Sequence, residues 1–166
     1  MEVRKSMLVG YPAESMFDLI EAVEHYPAFL PWCAGAVVLL RDESVVIANL
    51  SVDYHGLRMR FTTRNPKRRP QSMGIILEQG PFRRFEGDWR LTPLAATACK
   101  IEFALLYEFD GAIARTLAGP VFARIADTLI DAFVARADSV LRMRHESGGE
   151  PPTVPTKGAE SDDDQD

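Results

Sequence analysis

Residues 25–33, HYPAFLPWC, contain the pair of side chains best suited to nucleophilic catalysis in this chain, His25 and Cys33. A cysteine nucleophile needs a base within hydrogen-bond reach to take its proton. A partly exposed histidine at a helix end and a small buried cysteine explain the same two residues without chemistry, and both interpretations stay open. The other histidines stand beside a predicted hairpin glycine (His55) and at the edge of the C-terminal tail (His145), so candidates for catalysis are few.

Metal, nucleotide and acid–base chemistry have no clear pattern in the sequence. The three histidines and the two cysteines, Cys33 and Cys99, do not fall at metal-ligand spacing. The glycine patterns that bind nucleotide phosphates, GxGxxG and GxxxxGK[ST], are absent. Asp88 and Glu102 alternate with apolar residues, which places both on outward strand faces. We therefore expect no catalysis, no metal and no cofactor.

The formal net charge of −5 comes from the C-terminal end of the chain. Residues 147–166 hold six of the 24 acidic residues and one of the 19 basic residues, which leaves 18 of each sign in the rest. This segment, SGGEPPTVPTKGAESDDDQD, buries too little apolar surface to offset the entropy lost on ordering. We predict one folded domain over residues 1–146 and a disordered acidic tail over 147–166.

Cysteine number and hydropathy predict a soluble, cytoplasmic protein. Two cysteines in 166 residues do not make a disulfide framework. The N-terminus lacks the apolar core of a signal peptide, and no run approaches the about 18 apolar residues of a membrane span. Contact with a membrane surface is compatible with both observations.

The spacing of apolar residues predicts an α+β order of elements. Residues 3–9 alternate as a strand, and residues 13–24 have helical spacing in a segment that must stop before Pro27. Alternation with period two then predicts about six antiparallel strands up to residue 110, with residues 65–70, NPKRRP, as a loop. The clearest strand places one set of residues on a single face: Cys99, Ile101, Phe103, Leu105, Tyr107 and Phe109.

A helical pattern over residues 111–145 predicts a long C-terminal helix. Gly119 and Pro120 are expected to kink this helix or to divide it near Pro120. Its predicted apolar stripe includes Leu117, Val121, Ile125, Leu129 and Phe133. An antiparallel sheet needs a cover for its apolar face, and a long helix across a strongly bent sheet leaves room for a cavity.

Large inward-facing side chains are candidates for the lining or the mouth of that cavity. Strand alternation places the following residues inward: Tyr54, Met59, Phe61, Trp89, Phe103 and Tyr107. The segment of residues 25–33, in which two prolines prevent a long helix, adds Tyr26, Phe29, Leu30, Pro31 and Trp32. Ordinary core packing explains any one of these residues, and a largely apolar pocket with a few polar tips would use the same set.

Basic residues gather on one strand face and in two loops. The candidates for contact with phosphate are Arg64, Lys67, Arg68, Arg69, Arg83 and Arg84. Such a patch on a formally neutral domain could hold the phosphates of RNA or of lipid headgroups. Scattered, solvated arginines are the alternative, because acids such as Asp53, Glu86 and Asp88 could lie alongside and cancel the charge.

Four motifs, in this order along the chain, resemble one family. They are YPAFLPWC (26–33), FTTRN (61–65), GPFRRFEGDWRLTPL (80–94) and CKIEFALLYEF (99–109). The chain resembles the coenzyme Q-binding proteins and ribosome-association toxins of the RatA type, in the polyketide cyclase/dehydrase group of START-like domains. The resemblance covers about residues 1–144. One departure is Gln79, where the family commonly has an acid before the GPF turn.

The resemblance implies a helix-grip fold, in which a curved antiparallel sheet wraps around a long C-terminal helix and leaves a hydrophobic cavity between them. It also implies non-catalytic binding of ubiquinone or a related polyprenyl lipid, in support of respiratory electron transport or quinone biosynthesis. Leu30, Pro31 and Trp32 would lie at the mouth or wall of the cavity, and Tyr54 or Tyr107 could supply a hydroxyl group to the ligand.

The expected partners follow from this resemblance. They are a hydrophobic small molecule and, transiently, the surface of the inner membrane; DNA is not expected. Bacterial members of the family are alternatively toxins that bind the large ribosomal subunit and block subunit association, so the ribosome is the second candidate partner. An aromatase or cyclase activity would rest on analogy of fold alone, which does not imply function.

Overall fold

The computed structural model describes residues 1–147, with side chains described outside residues 113–115 and 143–147. The elements follow in the order β1 (Glu2–Val9), α1 (Ala13–Glu21), a 3₁₀ helix (Val23–Ala28), β2 (Cys33–Arg41), β3 (Val45–Tyr54), β4 (Leu57–Arg68), β5 (Ser72–Gln79), β6 (Phe82–Ala95), β7 (Ala98–Phe109) and α2 (Ala112–Ser147). This order is the α+β arrangement that the apolar spacing predicts.

All seven strands form one antiparallel sheet, in the spatial order β1-β7-β6-β5-β4-β3-β2. Short turns join consecutive strands from β2 to β7, and the two-residue turn between β3 and β4 uses positive φ angles at His55 (49°) and Gly56 (81°). Strand β7 buries every second residue from Cys99 to Phe109, which confirms the predicted alternation. The face that carries these residues is the one that needs a cover.

Helix α2 covers this apolar face and is fixed to the N-terminal part of the chain by two polar contacts. The Tyr11 hydroxyl donates to Asp138 Oδ1 at 2.5 Å, and Lys5 Nζ lies 2.7 Å from Asp127 Oδ1. Phe122 of α2 is the centre of an aromatic cluster, since its ring centroid lies 4.7 Å from that of Tyr107. The predicted helix-grip fold, a curved antiparallel sheet around a long C-terminal helix, is confirmed.

Helix α2 differs from expectation in two respects. It is continuous through Pro120, so the expected division into two helices is wrong. A proline removes one backbone donor, and here Ala118 and Phe122 on either side are buried against the rest of the molecule, which holds the helix in place. The predicted stripe is also corrected at Leu117, which is 73% exposed, because the inward face runs instead through Ala118 and Phe122.

Of two element boundaries near prolines, one agrees with expectation and one does not. Helix α1 ends at Glu21 and so stops before Pro27, as predicted, and Pro27 lies inside the separate 3₁₀ helix that follows. Proline fits the φ angle of such a helix, and its missing N–H removes one backbone donor from this short element. Strand β4 continues to Arg68, so residues 65–68 belong to a strand and only the chain around the cis Arg69–Pro70 bond turns.

The predicted acidic tail lies outside the described residues, except for Ser147, which ends α2. None of the described helices is long and apolar enough to cross a bilayer.

Candidate ligand cavity

A cavity of about 90 Å³ lies between the sheet and helix α2. Its wall comes from strands β3 to β7, from the 3₁₀ helix and the segment that follows it, and from α2. The wall is dominated by aromatic side chains: Tyr26, Trp32, Phe61, Phe85, Trp89, Phe103, Phe122 and Phe133. None of the described lining residues carries a charge, so the cavity suits a neutral, largely apolar molecule.

Edge-to-face ring contacts hold one side of the cavity together. The ring of Phe133 on α2 lies 5.2 Å from the Trp89 ring on β6 and 5.4 Å from the Tyr26 ring. Trp89 in turn packs on Phe103 at 4.7 Å. Because these contacts join α2, the sheet and the 3₁₀ helix, the wall is built from residues that are distant in sequence.

Two polar side chains interrupt this apolar wall, both on β4. Thr63 Oγ1 donates to Asn65 Oδ1 at 2.8 Å, and Asn65 Nδ2 donates to the backbone oxygen of Gly74 at 2.9 Å. Both side chains line the cavity and both are buried. Thr63 and Asn65 are therefore a polar pair in the described lining, besides the Tyr26 phenol and the indole N–H groups of Trp32 and Trp89.

The structure sorts the predicted site residues into four groups. Five line the cavity: Tyr26, Trp32, Phe61, Trp89 and Phe103. Leu30 and Tyr107 are buried in the core away from the lining, and Phe29, Tyr54 and Met59 are partly buried around the core. Pro31 is exposed. Binding of a ligand by any of them stays a prediction.

Aromatic residues of the segment 25–33 are held by contacts with the rest of the molecule. The Tyr26 hydroxyl donates to the backbone oxygen of Ile20, and burial raises the pKa of this phenol above its usual value. Phe29 packs on the Phe133 ring at 5.2 Å and lies under the Arg136 guanidinium, whose Cζ is 5.2 Å from the ring centroid. Tyr26 and Trp32 line the cavity, while Phe29, whose ring lies 6.0 Å from the Tyr26 ring, does not.

His25 and Cys33 do not form a nucleophile–base pair. Cys33 is buried and its Sγ donates to the backbone oxygen of Gly35 at 3.4 Å, while His25 is exposed. Burial raises the pKa of the Cys33 thiol to about 11, which keeps it protonated near neutral pH. Among the described side chains, no group of three His, Cys, Asp or Glu residues could hold a metal ion.

Most of the predicted phosphate-contacting residues are paired with acids of the same chain. Lys67 Nζ lies 2.8 Å from Glu21 Oε1, and Arg69 Nε lies 2.9 Å from Asp18 Oδ1. Arg83 and Arg84 pair with Glu108 (3.6 Å) and Glu86 (2.7 Å). Arg64 and Arg68 are exposed and have no acidic partner within the described part of the chain.

The predicted site omitted Thr63, Asn65, Phe85, Phe122 and Phe133, all of which line the cavity. The alternation in FTTRN was the available signal for Thr63 and Asn65, since an inward Phe61 requires inward residues two and four positions later. Gln79, which stands where the resembled family commonly has an acid, is exposed and lies opposite Thr62.

Sequence comparisons place these features among known proteins. The model of the family described as polyketide cyclase/dehydrase and lipid transport matches residues 9–134. The ribosome association toxin RatA of Pseudomonas aeruginosa is 41% identical over 135 residues, which cover 81% of this chain and 94% of that protein. The mitochondrial coenzyme Q-binding protein COQ10 homolog B of Xenopus laevis is 24% identical over 144 residues, which cover 84% of this chain and 59% of that protein.

Solved structures share the fold at lower sequence identity. The Zhui aromatase/cyclase of Streptomyces sp. R1128 has a TM-score of 0.76 at 19% identity, covering 90% of this chain and 99% of its own. A START superfamily protein of Mycobacterium smegmatis has a TM-score of 0.67 at 23% identity, covering 84% and 98%. The molecule shares the fold of these structures, and the chain belongs to the polyketide cyclase/dehydrase and lipid transport family.

Proposed function

We propose that this protein binds ubiquinone or a related polyprenyl quinone in its cavity, without catalysis, and so supports respiratory electron transport or quinone biosynthesis. The observation that carries the proposal is a cavity whose described wall is uncharged and rich in aromatic side chains. Two hydrogen-bonded polar side chains, Thr63 and Asn65, lie in this wall. A quinone ring is apolar on its faces and polar at its two carbonyl groups, which matches such a wall. The likeness to a coenzyme Q-binding protein adds support.

The size of the cavity has a consequence for the bound state. At about 90 Å³ it is smaller than the cavity of about 150 Å³ that holds benzene in an engineered protein core. A substituted quinone ring therefore requires side chains of the wall to rotate or α2 to move away from the sheet.

The prenyl tail must extend beyond the cavity, toward the membrane in which such lipids dissolve. We accordingly propose a cytoplasmic protein that contacts the inner membrane transiently.

Extraction of the native protein tests this proposal. The full chain is purified without detergent, extracted with organic solvent, and the extract is analysed by mass spectrometry for quinones and prenyl lipids. A quinone present in stoichiometric amount supports the proposal. A matched extract of an Ala126→Leu variant, in which the added side chain occupies the cavity, should contain much less. Repeated absence of any quinone or prenyl lipid from the native protein would contradict the proposal.

A second candidate function is binding to the large ribosomal subunit, with inhibition of subunit association. The observation that favours it is the 41% identity to a protein named as a ribosome association toxin. Only the unpaired cations can contact phosphate without first breaking an internal ion pair, so Arg64 and Arg68 are the residues to test.

Sucrose-gradient profiles of overexpressing cells test this second function. If it holds, free subunits accumulate at the expense of assembled ribosomes, and an Arg64→Glu, Arg68→Glu double variant restores the assembled particles. The matched control is Arg69→Glu, Arg84→Glu, which reverses the same number of charges at positions engaged in internal pairs. Unchanged profiles on overexpression of the native chain would exclude the function.

A further inference from the structure

We infer that Thr63 and Asn65 form a hydrogen-bonding anchor for a carbonyl oxygen of the ligand, so that the cavity selects neutral carbonyl-bearing molecules over hydrocarbons of the same shape. This inference rests on the proposed function of the cavity. It identifies the chemical class of the ligand and the residues that recognise it.

Strand geometry places both side chains on the cavity wall. Residues of a strand alternate between its two faces, so Phe61, Thr63 and Asn65 share the inner face while Thr62 and Arg64 point outward. Thr63 is 4% exposed and Asn65 is 5% exposed. Two polar side chains this deeply buried need hydrogen-bond partners, since an unpaired buried donor is costly.

The hydrogen bonds of the pair determine what it offers to a ligand. The Gly74 backbone oxygen can only accept, so the Asn65 atom bound to it at 2.9 Å is the amide nitrogen. The amide oxygen then accepts the hydrogen of Thr63 Oγ1 at 2.8 Å. This arrangement leaves the second N–H of Asn65 without a protein acceptor among the described residues, beside oxygen lone pairs on Thr63. A carbonyl oxygen in the cavity would satisfy the N–H.

The tyrosine hydroxyl groups near the cavity are less suited to this role. The Tyr26 hydroxyl is engaged by the backbone oxygen of Ile20. The Tyr107 hydroxyl is buried and has no hydrogen-bond partner among the described residues, but Tyr107 packs on the Phe122 ring at 4.7 Å and does not line the cavity. The indole N–H groups of Trp32 and Trp89 are the other donors of the lining, and variants of β4 leave both in place.

The absence of charge among the described lining residues defines the ligand further. A carboxylate or phosphate in this cavity would lose its hydration without gaining a counter-charge, which is strongly unfavourable. The expected ligand is therefore a quinone, ketone or ester with an apolar remainder. A saturated hydrocarbon chain alone would leave the Asn65 N–H unpaired.

Two probe molecules of nearly the same shape test this inference: tetramethyl-1,4-benzoquinone and 1,2,4,5-tetramethylbenzene. They differ at two ring positions, which carry carbonyl oxygens in one and hydrogens in the other, and full methylation prevents the quinone from adding to thiols. The affinity of each for the full-length protein is measured by displacement of N-phenyl-1-naphthylamine fluorescence. The variants are Asn65→Leu and Thr63→Val, and the matched control is Thr62→Val, which alters a similarly buried threonine outside the cavity lining.

The native protein should bind the quinone about threefold to tenfold more tightly than the hydrocarbon, as expected for one net hydrogen bond. Asn65→Leu should bring this ratio close to one while affinity for the hydrocarbon is kept, Thr63→Val should lower the ratio, and Thr62→Val should leave it unchanged. If Asn65→Leu does not fold, the affinity ratio of the isosteric variant Thr63→Val decides whether the anchor exists.

Each contrary outcome has a distinct meaning. Equal affinity of the native protein for the two probes would overturn the anchor and leave the proposed function standing. A preference that persists in both Asn65→Leu and Thr63→Val would also overturn the anchor. Failure of both probes to displace the dye from the native protein would overturn the binding function of the cavity together with the anchor.

Discussion

The rings of Tyr26 and Phe133 meet edge to face with centroids 5.4 Å apart, and this contact joins the 3₁₀ helix to α2 across the cavity wall. Phe133 is 1% exposed and also contacts the rings of Phe29 and Trp89. Such a residue contributes both apolar burial and favourable ring geometry. It is therefore the position where stability and the shape of the cavity are most closely connected.

Replacement of Phe133 by Ala should lower the free energy of unfolding by about 3–5 kcal/mol, because it removes a buried ring and enlarges the cavity. Urea denaturation followed by far-UV circular dichroism measures the change. The control is Leu117→Ala on the same helix, which alters an exposed side chain and should change stability by less than about 0.5 kcal/mol. Equal losses of stability in the two variants would contradict the orientation of α2, in which Phe133 is buried and Leu117 is exposed.

Replacement of Ala126 by Leu should affect ligand binding far more than stability. Ala126 lines the cavity, so the larger side chain has space that the ligand would otherwise occupy. The same substitution at Ala137, which is fully buried outside the lining, should cost about 1–3 kcal/mol by overpacking. Thermal unfolding and probe displacement on both variants check this contrast, and a larger loss of stability at Ala126 than at Ala137 would contradict it.

Replacement of Gly87 by Ala should destabilise the pairing of β6 with β7. A Cβ atom at Gly87 would lie 2.2 Å from the backbone oxygen of Ala104, so the strands must separate locally. We expect a loss of about 1–3 kcal/mol in urea denaturation. Gly10→Ala is the matched control, since nothing lies within 4 Å of its added Cβ. A neutral Gly87→Ala variant would show that the two strands are not this close.

Stability should fall as the pH rises from about 9 to about 11, in part because of Cys33. Burial raises the pKa of this thiol from 9.0 to about 11 in the folded protein. The unfolded chain therefore loses the proton first, and the stabilisation present below pH 9 is lost as the pH rises through the folded value. The difference amounts to about 2–3 kcal/mol.

A Cys33→Ala variant isolates this contribution. Its free energy of unfolding should decrease less steeply than that of the native protein between pH 9 and 11, when both are measured by urea denaturation at several pH values. The same burial predicts slow reaction of Cys33 with a disulfide reagent at pH 8, unaffected by His25→Ala. A parallel pH dependence of the two proteins, or a histidine-dependent rate, would contradict this account.

Strand β7 shows what local pattern is sufficient to predict. Six residues at alternating positions from Cys99 to Phe109 are apolar, and all six are buried. The prediction succeeded because a shift of one residue would expose the whole set. The same reasoning holds for β3, where Val46, Ala48, Leu50 and Val52 are buried.

Asn65 shows where the local pattern misleads. The sequence predicts a loop over residues 65–70, NPKRRP, and the predicted site does not include Asn65. In the structure Pro66 lies within β4, opposite Val45 and close to Gly74, where an added Cβ would lie 3.1 Å from the proline Cγ. Gly74 on the neighbouring strand thus makes room for Pro66. The sequence of β4 by itself does not show that a strand can hold the proline at this position.

The order of elements, the antiparallel sheet and the inward face of each strand followed from the sequence alone, because they depend on the period of apolar residues. The separation of cavity from core did not. Phe103 and Tyr107 share one face of β7, yet only Phe103 lines the cavity, because Phe122 of α2 packs on Tyr107. Likewise Arg69 is paired while the adjacent Arg68 has no acidic partner among the residues that the structure describes, because Asp18 of α1 faces only one of them. Periodicity determines the direction of a side chain, whereas its partner is determined by long-range packing of distant elements.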